Sequence, residues 1–322
     1  MKVLIIQTAF IGDVILATSL IEKLAETNKD FTIDFLLRKG NEFLLDNNPH
    51  VHEILIWYKK KPKSQELPRI IKEVKKRKYD LVINLQRFLS TGIITKFSGA
   101  KETRGFEKNP MSFMFSKKYK HELVEGMHEV DRNISLLEGI TDSSRVLPKL
   151  YPGPTDYEKV ANYQTTDYVC IAPSSVWFTK QVPESKWIEL VNQLSTDKIY
   201  LVGSNYDRTL CDKLREHCEK KIVNLAGKLS LLQTAALFKN SKMNYVNDSA
   251  PLHIASAMRA PVTAFFCSTI PKFGFGPLSE NAKIAQVDYD LECRPCGLHG
   301  LKECPKKHFK CANEIDMTKY AM

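Results

Sequence analysis

Short apolar runs alternate along this chain with longer stretches in which Leu, Ile, Val and Ala recur every three or four positions. KVLIIQ (2–7) leads into a helical stretch near 13–27, and FTIDFLL (31–37) into another near 40–47. EILIW (53–57) precedes a basic helix over 65–78, and YDLVINL (79–85) precedes one over 88–98; a further helix is expected over 121–139. The segment DSSRVLPKLYPGPTDYE (142–158) holds three prolines and a glycine without periodicity and reads as a linker. The rhythm then restarts with strands over 167–173, 198–204, 221–227, 242–248 and 261–267, and helices over 184–195, 207–220, 230–239 and 250–259. Continuous Val/Ile/Leu runs between helices mark strands buried on both faces. The pattern predicts two α/β domains, 1–150 and 160–306, each a doubly wound parallel sheet, facing a central cleft lined by the carboxyl ends of both sheets.

Candidate chemistry sits where strands give way to helices. IIQTAFIGDVILATSL (5–20) carries one glycine and one carboxylate, Gly12 and Asp13, at the first strand-to-helix turn. Three spaced glycines would mark a dinucleotide loop, and neither half shows them, which disfavours a nicotinamide-dependent dehydrogenase. Asp13 at or near a helix N-cap satisfies an orphan N–H, and a carboxylate there can also take a proton from a substrate hydroxyl. IAPSSVWFTKQVPESKWIEL (171–190) offers the hydroxyls of Ser174 and Ser175 and the cation of Lys180 between a strand and a helix, a set that suits phosphate oxygens. In VNDSAPLHIASA (246–257), Asp248, Ser249 and Ala250 cap a helix with Pro251 near its first position, and His253 lies one turn in. A helix start at a sheet's carboxyl edge is a ready anion site.

Charge adds a partner class. The chain of 322 residues carries a net charge of +10. Residues 1–150 hold 26 Lys and Arg against 19 Asp and Glu, so most of the surplus lies in the first half. YKKKPK (58–63), KEVKKRK (72–78) and SKKYK (116–120) are its clusters. Each reads either as solvated surface or as a face for an anionic partner: nucleic acid, a phosphorylated glycan or an acidic lipid surface. No run is long and apolar enough for a membrane span or a secretory leader, and a cytoplasmic protein is expected.

Three stretches, QTAFIGDVILATSLIEKL, SSVWFTKQVPESKWIEL and NDSAPLHIASAMRAPVTAFF, in this order and at this separation, resemble glycosyltransferase family 9, the ADP-heptose:lipopolysaccharide heptosyltransferases. The resemblance implies a GT-B fold of two Rossmann-like domains and an inverting, metal-independent transfer that needs no cofactor. It assigns Asp13 as general base and places Ser174, Ser175 and Lys180 at the donor diphosphate. Leu229 falls beside the adenine, and Asp248, Ser249, Ala250 and His253 on the element that holds donor sugar and phosphates. Ala250 departs from the glycine usual there. Asn84, Gln86 and Arg87 fall where the family meets its acceptor. The implied donor is ADP-heptose and the implied acceptor an anionic lipopolysaccharide inner core, with peripheral contact at the inner face of the cytoplasmic membrane and no nucleic acid partner. A tail helix over 307–322 is expected to pack back on the first domain.

The tail CRPCGLHGLKECPKKHFKC gathers Cys293, Cys296, Cys304 and Cys311 with His299 and His308 between them. Four thiolates at such spacing are a candidate structural zinc site. Cys170, Cys211, Cys218 and Cys267 read as packing residues. Two alternatives stand beside the heptosyltransferase: a transferase of another nucleotide-activated sugar to a cell-surface glycan, and, from another class, a basic nucleic-acid-binding protein with a zinc-bound tail. The basic runs lack the interleaved aromatics of a stacking platform, which weighs against the last.

Overall fold

Residues 1–322 are described by a computed structural model, which divides the chain into two units, Met1–Tyr151 and Pro152–Met322. In unit 1 the strands are β1 (Lys2–Ile6), β2 (Thr32–Arg38), β3 (Val51–Trp57), β4 (Leu81–Asn84), β5 (Glu102–Phe106) and β6 (Lys117–Tyr119). They form one sheet in the order β3-β2-β1-β4-β5-β6, and every neighbouring pair is parallel. The helices are α1 (Ile11–Thr27), α2 (Lys63–Lys76), α3 (Leu89–Lys96) and α4 (Glu129–Ser135).

Burial follows from the residue types. Leu4 and Ile6 of β1, Leu36 of β2 and Val82 of β4 pack with Ile70 and Val74 of α2 and with Ile94 of α3 on one face. Every residue of α1 from Val14 to Leu24 is buried, as befits a helix apolar nearly all round. Partners from beyond the helix meet its polar members: Lys23 Nζ donates to Asp142 at 2.6 Å and Ser144 at 2.7 Å, the Thr18 hydroxyl accepts from Lys149 N–H at 2.9 Å, and Glu22 accepts from the Tyr151 hydroxyl through one of its two oxygens. The KEVKKRK cluster lies on and just beyond α2, whose apolar Ile70 and Val74 face the core while Lys72, Lys75 and Lys76 stay outside. This cluster is a solvated outer face.

Unit 2 repeats the architecture with β7 (Val169–Ala172), β8 (Ile199–Leu201), β9 (Ile222–Asn224), β10 (Met243–Asn247), β11 (Val262–Phe265) and β12 (Ala282–Ala285) in the order β12-β11-β10-β7-β8-β9, again all parallel. Its helices are α5 (Pro154–Val160), α6 (Glu184–Gln193), α7 (Arg208–His217), α8 (Leu231–Lys239), α9 (Ala250–Ala257) and α10 (Lys310–Asn313). Trp187 of α6 meets Phe265 of β11 edge-on, with ring centroids 5.0 Å apart, in the centre of the core.

Several expectations are corrected. Residues 121–128 form an extended loop and only Glu129–Ser135 are helical, because His128 caps that helix by accepting from Val130 N–H at 3.2 Å. The stretch near 40–47 is a single 3₁₀ turn, Glu42–Leu45. The strand ETRGF was hidden by its charges: Arg104 is buried, its guanidinium spent on the carbonyls of Leu136 (2.9 Å) and Glu138 (2.7 Å) and on Glu102 (2.7 Å). Helix α5 opens inside the expected linker.

The tail does not form one long helix packed on the first domain. It makes the single turn α10 and a 3₁₀ turn at Met317–Lys319, and buries Phe309, Cys311, Ala312, Ile315 and Met317 in the core of unit 2. Its apolar residues crowd into nine positions, too few to line a continuous helix, and the Asp316 carboxylate starts a new turn by accepting from Thr318 N–H at 3.0 Å.

Candidate active site

In each sheet the strand order reverses once, between β1 and β4 in unit 1 and between β7 and β10 in unit 2. Open α/β sheets bind ligands at such reversals, outside the carboxyl ends of the strands. Most of the residues singled out from the sequence follow one of these four strands, and Leu229 alone follows β9.

At the unit 1 reversal, Phe10 takes the cap position of α1 and Asp13 is the third residue of the helix, not its cap. The Asp13 carboxylate reaches back to accept from Phe10 N–H at 3.2 Å, so it does cap the helix, from inside. Burial pushes its pKa from 3.8 up to about 6, and the negative Glu129 adds to the rise. The N–H of Phe10 and the ammonium of Lys108 oppose it. Glu129 is held ionised despite its own burial, since it accepts from His121 Nε2 at 3.0 Å and Arg132 Nε at 2.8 Å. Lys108 is brought down to about 8, chiefly by desolvation. A carboxylate titrating near 6 is about nine-tenths ionised at neutral pH yet far more basic than an ordinary aspartate, which suits a general base.

Beside it, Asn84 and Gln86 turn out to be fixed inside the loop. Asn84 Nδ2 donates to Thr95 Oγ1 at 2.9 Å and its Oδ1 accepts from Gln86 N–H at 2.9 Å; the Gln86 amide donates to Gln7 Oε1. Both are buried, so they shape the β4 exit, while Arg87 is exposed and lies over the Phe88 ring. Of the three residues expected at the acceptor, Arg87 alone is exposed.

At the unit 2 reversal, Asn247 ties the two loops together: its Oδ1 accepts from Val182 N–H at 3.0 Å and its Nδ2 donates to Pro173 O at 2.8 Å. Lys180 Nζ then lies 2.7 Å from Asp248 Oδ2, which also accepts from Thr269 Oγ1 at 2.6 Å. Ser249 is the cap residue of α9, with Ala250 at the first helical position and Pro251 at the second. His253 is buried one turn in, its ring edge-on to Phe275. Ser174 and Ser175 are half-buried on the β7 exit, and Leu229 is half-buried just before Ser230, which caps α8 by accepting from Gln233 N–H at 3.1 Å. The arrangement holds an ammonium at the mouth of a helix N-terminus, where an anion is stabilised by both.

No local motif points to what supports Lys180 from behind. Leu301 N–H donates to Thr179 Oγ1 at 2.8 Å, Thr179 N–H donates to Leu301 O at 3.1 Å, and Ser268 Oγ is 2.9 Å from the same hydroxyl. Gly300, at φ +77°, packs against the Lys180 stem so closely that a Cβ there would sit 2.8 Å from Lys180 Cγ. Phe178 stacks on Phe309 at 5.2 Å, and Arg294 donates to Thr269 O at 2.9 Å. The cysteine-rich tail is therefore the backing of the lysine loop. Thr179, Thr269, Arg294 and Gly300 join the site only through tertiary contact.

The four tail cysteines share one neighbourhood: burial raises the Cys311 thiol to about 12, and Cys296, Cys304 and Cys293 add to the rise. They do not close into a ligand shell. The one group of metal-ligating atoms that lie within 4.8 Å of one another is Asp34, His52 and Glu53 in unit 1. Cys311 faces the unit 2 core, and the Cys296 thiol donates to Cys293 O at 3.2 Å.

The family model for glycosyltransferase family 9 (heptosyltransferase) matches residues 67–306. Lipopolysaccharide heptosyltransferase 3 of Escherichia coli K12 is 28% identical over 288 residues, covering 84% of this chain and 83% of the relative. Among solved structures, E. coli ADP-heptose lps heptosyltransferase II superposes with a TM-score of 0.77 at 20% identity over 98% of both chains. A glycosyl transferase family 9 protein from Veillonella parvula superposes with a TM-score of 0.79 at 22% identity, over 88% of this chain and 85% of that one. Both structures share the fold. The match of the family model over most of the chain, on a fold that sets a lysine at a helix mouth in one sheet and a carboxylate at the other sheet's reversal, leads to one conclusion: this chain is a glycosyltransferase and belongs to glycosyltransferase family 9, the heptosyltransferase family.

Proposed function

We propose that this enzyme transfers a heptose from ADP-heptose to the inner core of a lipopolysaccharide, with inversion and without a catalytic metal. The observation that carries the mechanism is the Asp13 carboxylate at the β1/β4 reversal with its pKa near 6. The acceptor hydroxyl gives its proton to Asp13 as its oxygen bonds to the sugar's anomeric carbon. The bond from that carbon to the diphosphate breaks on the opposite side, so configuration inverts, and ADP leaves with the electron pair. Lys180 and the α9 N-terminus meet the charge that gathers on the leaving diphosphate, the task a metal performs in other transferases. Asp248 and Thr269 keep the ammonium in place. The names of the relatives, lipopolysaccharide heptosyltransferases 1, 2 and 3, support heptose and lipopolysaccharide as the substrates. A cytoplasmic site of action fits an ADP-activated donor.

Calorimetric titration with ADP, GDP, UDP and NAD, followed by transfer from ADP-heptose to a heptose-deficient core, tests the reading. ADP is expected to bind best, the product's new linkage to show inverted configuration by NMR, and EDTA to leave the rate unchanged. Preference for GDP or UDP would favour transfer of another sugar, a reading that Ala250 at the first position of α9 keeps open by placing a methyl group at the anion site. Loss of transfer in EDTA would remove the metal-free mechanism.

For the tail we propose a structural zinc. Four thiols in one neighbourhood are a fitting donor set in kind, although they must draw together to coordinate it. Stoichiometric zinc in purified protein, lost together with unit 2 stability on thiol alkylation, is the expected result; metal-free protein of unchanged melting temperature would refute it.

A further inference from the structure

A guanidinium drawn out of water is ordinarily met by a carboxylate, and one without such a partner needs an account. Arg294, half-buried in the tail, spends its hydrogen bonds on neutral acceptors. Its Nε and Nη2 donate to Thr269 O at 3.2 and 2.9 Å, and Nη2 also donates to Phe266 O at 3.2 Å and to Gln286 Oε1 at 2.8 Å. The other terminal nitrogen, Nη1, has no partner in the protein. Arg294 lines a cavity of about 270 Å³ beyond the carboxyl end of β12, the outermost strand of its sheet, which β11 sets apart from the β7/β10 reversal that carries Lys180. Gln286, Asp288, Tyr289 and Asp290 from the β12 exit and Tyr320 from the tail share its wall. The Gln286 amide meets Arg294 through its oxygen, which leaves the Nε2 hydrogens unused beside the guanidinium. Asp288 is paired with Lys319, whereas Asp290 is exposed and unpaired. The Tyr289 ring is 46% exposed, with its hydroxyl tied to Glu314.

We infer that this cavity binds a sugar acid, whose carboxylate is met by Arg294 and the Gln286 amide while its hydroxyls donate to Asp290 and Asp288. A carboxylate supplies the acceptors that the unused donors lack, and a bond between guanidinium and carboxylate is roughly twice as strong as a neutral one. The two aspartates accept from hydroxyls and turn away heavier charge, because a phosphate dianion would be brought against two negative groups in one small space. An exposed tyrosine ring beside carboxylates and an amide gives the C–H face of a sugar an apolar surface. The volume lies just below the range of about 300–1,000 Å³ that holds drug-sized ligands, and suits one sugar ring. The site goes beyond the transferase reading, since none of these groups meets the donor diphosphate or the base.

The test is calorimetric titration of the full chain with glucuronate, glucose, glucose 6-phosphate and glutamate, with neither sugar donor nor transfer acceptor present. Glucuronate is expected to bind with a Kd on the order of 1 mM, and the other three at least ~10-fold more weakly. Asp290→Asn and Gln286→Ala, both outside the core, should each weaken glucuronate about fivefold. Arg294→Lys should weaken it about tenfold or more; if that variant does not fold, the other two decide. Tyr206→Ala, at a ring 96% exposed after β8, is the control and should change nothing. Methyl glucuronide bound as well as glucuronate would identify an acidic unit within a glycan, and binding of free glucuronate alone a free sugar acid; both uphold the site. No binding of glucuronate at tenfold the expected Kd would overturn the inference. So would equal binding of glucose or glucose 6-phosphate, glutamate bound as tightly as glucuronate, or no loss in the Asp290 and Gln286 variants. Because donor and transfer acceptor are left out, a failed titration leaves the transferase reading standing, and a failed transfer assay leaves this site standing.

Discussion

Replacing Gly300 with Ala places one methyl group against the stem of Lys180. Gly300 sits at φ +77°, a left-handed conformation that costs an L side chain about 1 kcal/mol. The new Cβ would lie 2.8 Å from Lys180 Cγ and 3.1 Å from both Lys180 Cδ and Trp177 Cβ. Carbon atoms rest at about 3.5–4.0 Å, so the lysine stem must yield by roughly 0.7 Å or more. Overpacking of this size costs about 1–3 kcal/mol, and it falls on the lysine proposed to meet the donor diphosphate. The expected result is a loss of about 1–2 kcal/mol in ADP affinity, a roughly 5- to 30-fold weaker Kd by calorimetry. A matching rise in donor KM should follow. Gly297→Ala separates strain from contact: Gly297 has φ +109° but nothing within 4 Å of its would-be Cβ. That variant should melt earlier and bind ADP normally. An unchanged Kd in Gly300→Ala, or the same loss in both variants, would refute the claim that the tail positions Lys180.

Asp13→Asn should lower kcat by ~10²–10⁴-fold while leaving ADP binding intact, and wild-type kcat/KM should fall tenfold per pH unit below about 6, where the base is protonated. The same carboxyl should weaken the fold. Its folded pKa is raised from 3.8 to about 6, so the penalty grows as pH rises between those values and is complete above the upper one. Asp13→Asn should therefore raise the melting temperature at pH 7, by on the order of 1–2 kcal/mol in stability, and much less at pH 4. Lys180→Ala leaves Asp248 buried with Thr269 as its remaining partner; a loss of ~2 kcal/mol in stability and a donor KM raised at least tenfold are expected, with Lys180→Arg recovering part of both. Ile315→Ala, at a fully buried tail position, should destabilise by ~2–4 kcal/mol and reduce hydrogen-exchange protection in unit 2 strands but not in unit 1.

The readable parts of this chain were those whose signal is local. Strands such as KVLII and VCIA announce themselves because both faces are buried and nearly every residue is apolar, and the helix starts near Asp13 and at Glu184 and Ala250 follow from residues within one turn. The sequence therefore determined by itself two doubly wound halves, the turns that carry the chemistry, and the family. Its errors fall where a side chain's partner is far along the chain. ETRGF is a strand because Arg104 finds carbonyls 32 and 34 residues away. The side-chain amides of Asn84 and Gln86, expected at the acceptor, are hydrogen-bonded to Thr95 and Gln7, which the local sequence does not show. The tail, expected on the first unit, completes the second unit's core and backs Lys180 through Gly300 and Leu301, contacts that span about 120 residues. Only the tertiary structure decided these, because burial and hydrogen-bond completion depend on what arrives from elsewhere, whereas turn chemistry and periodicity depend on neighbours alone.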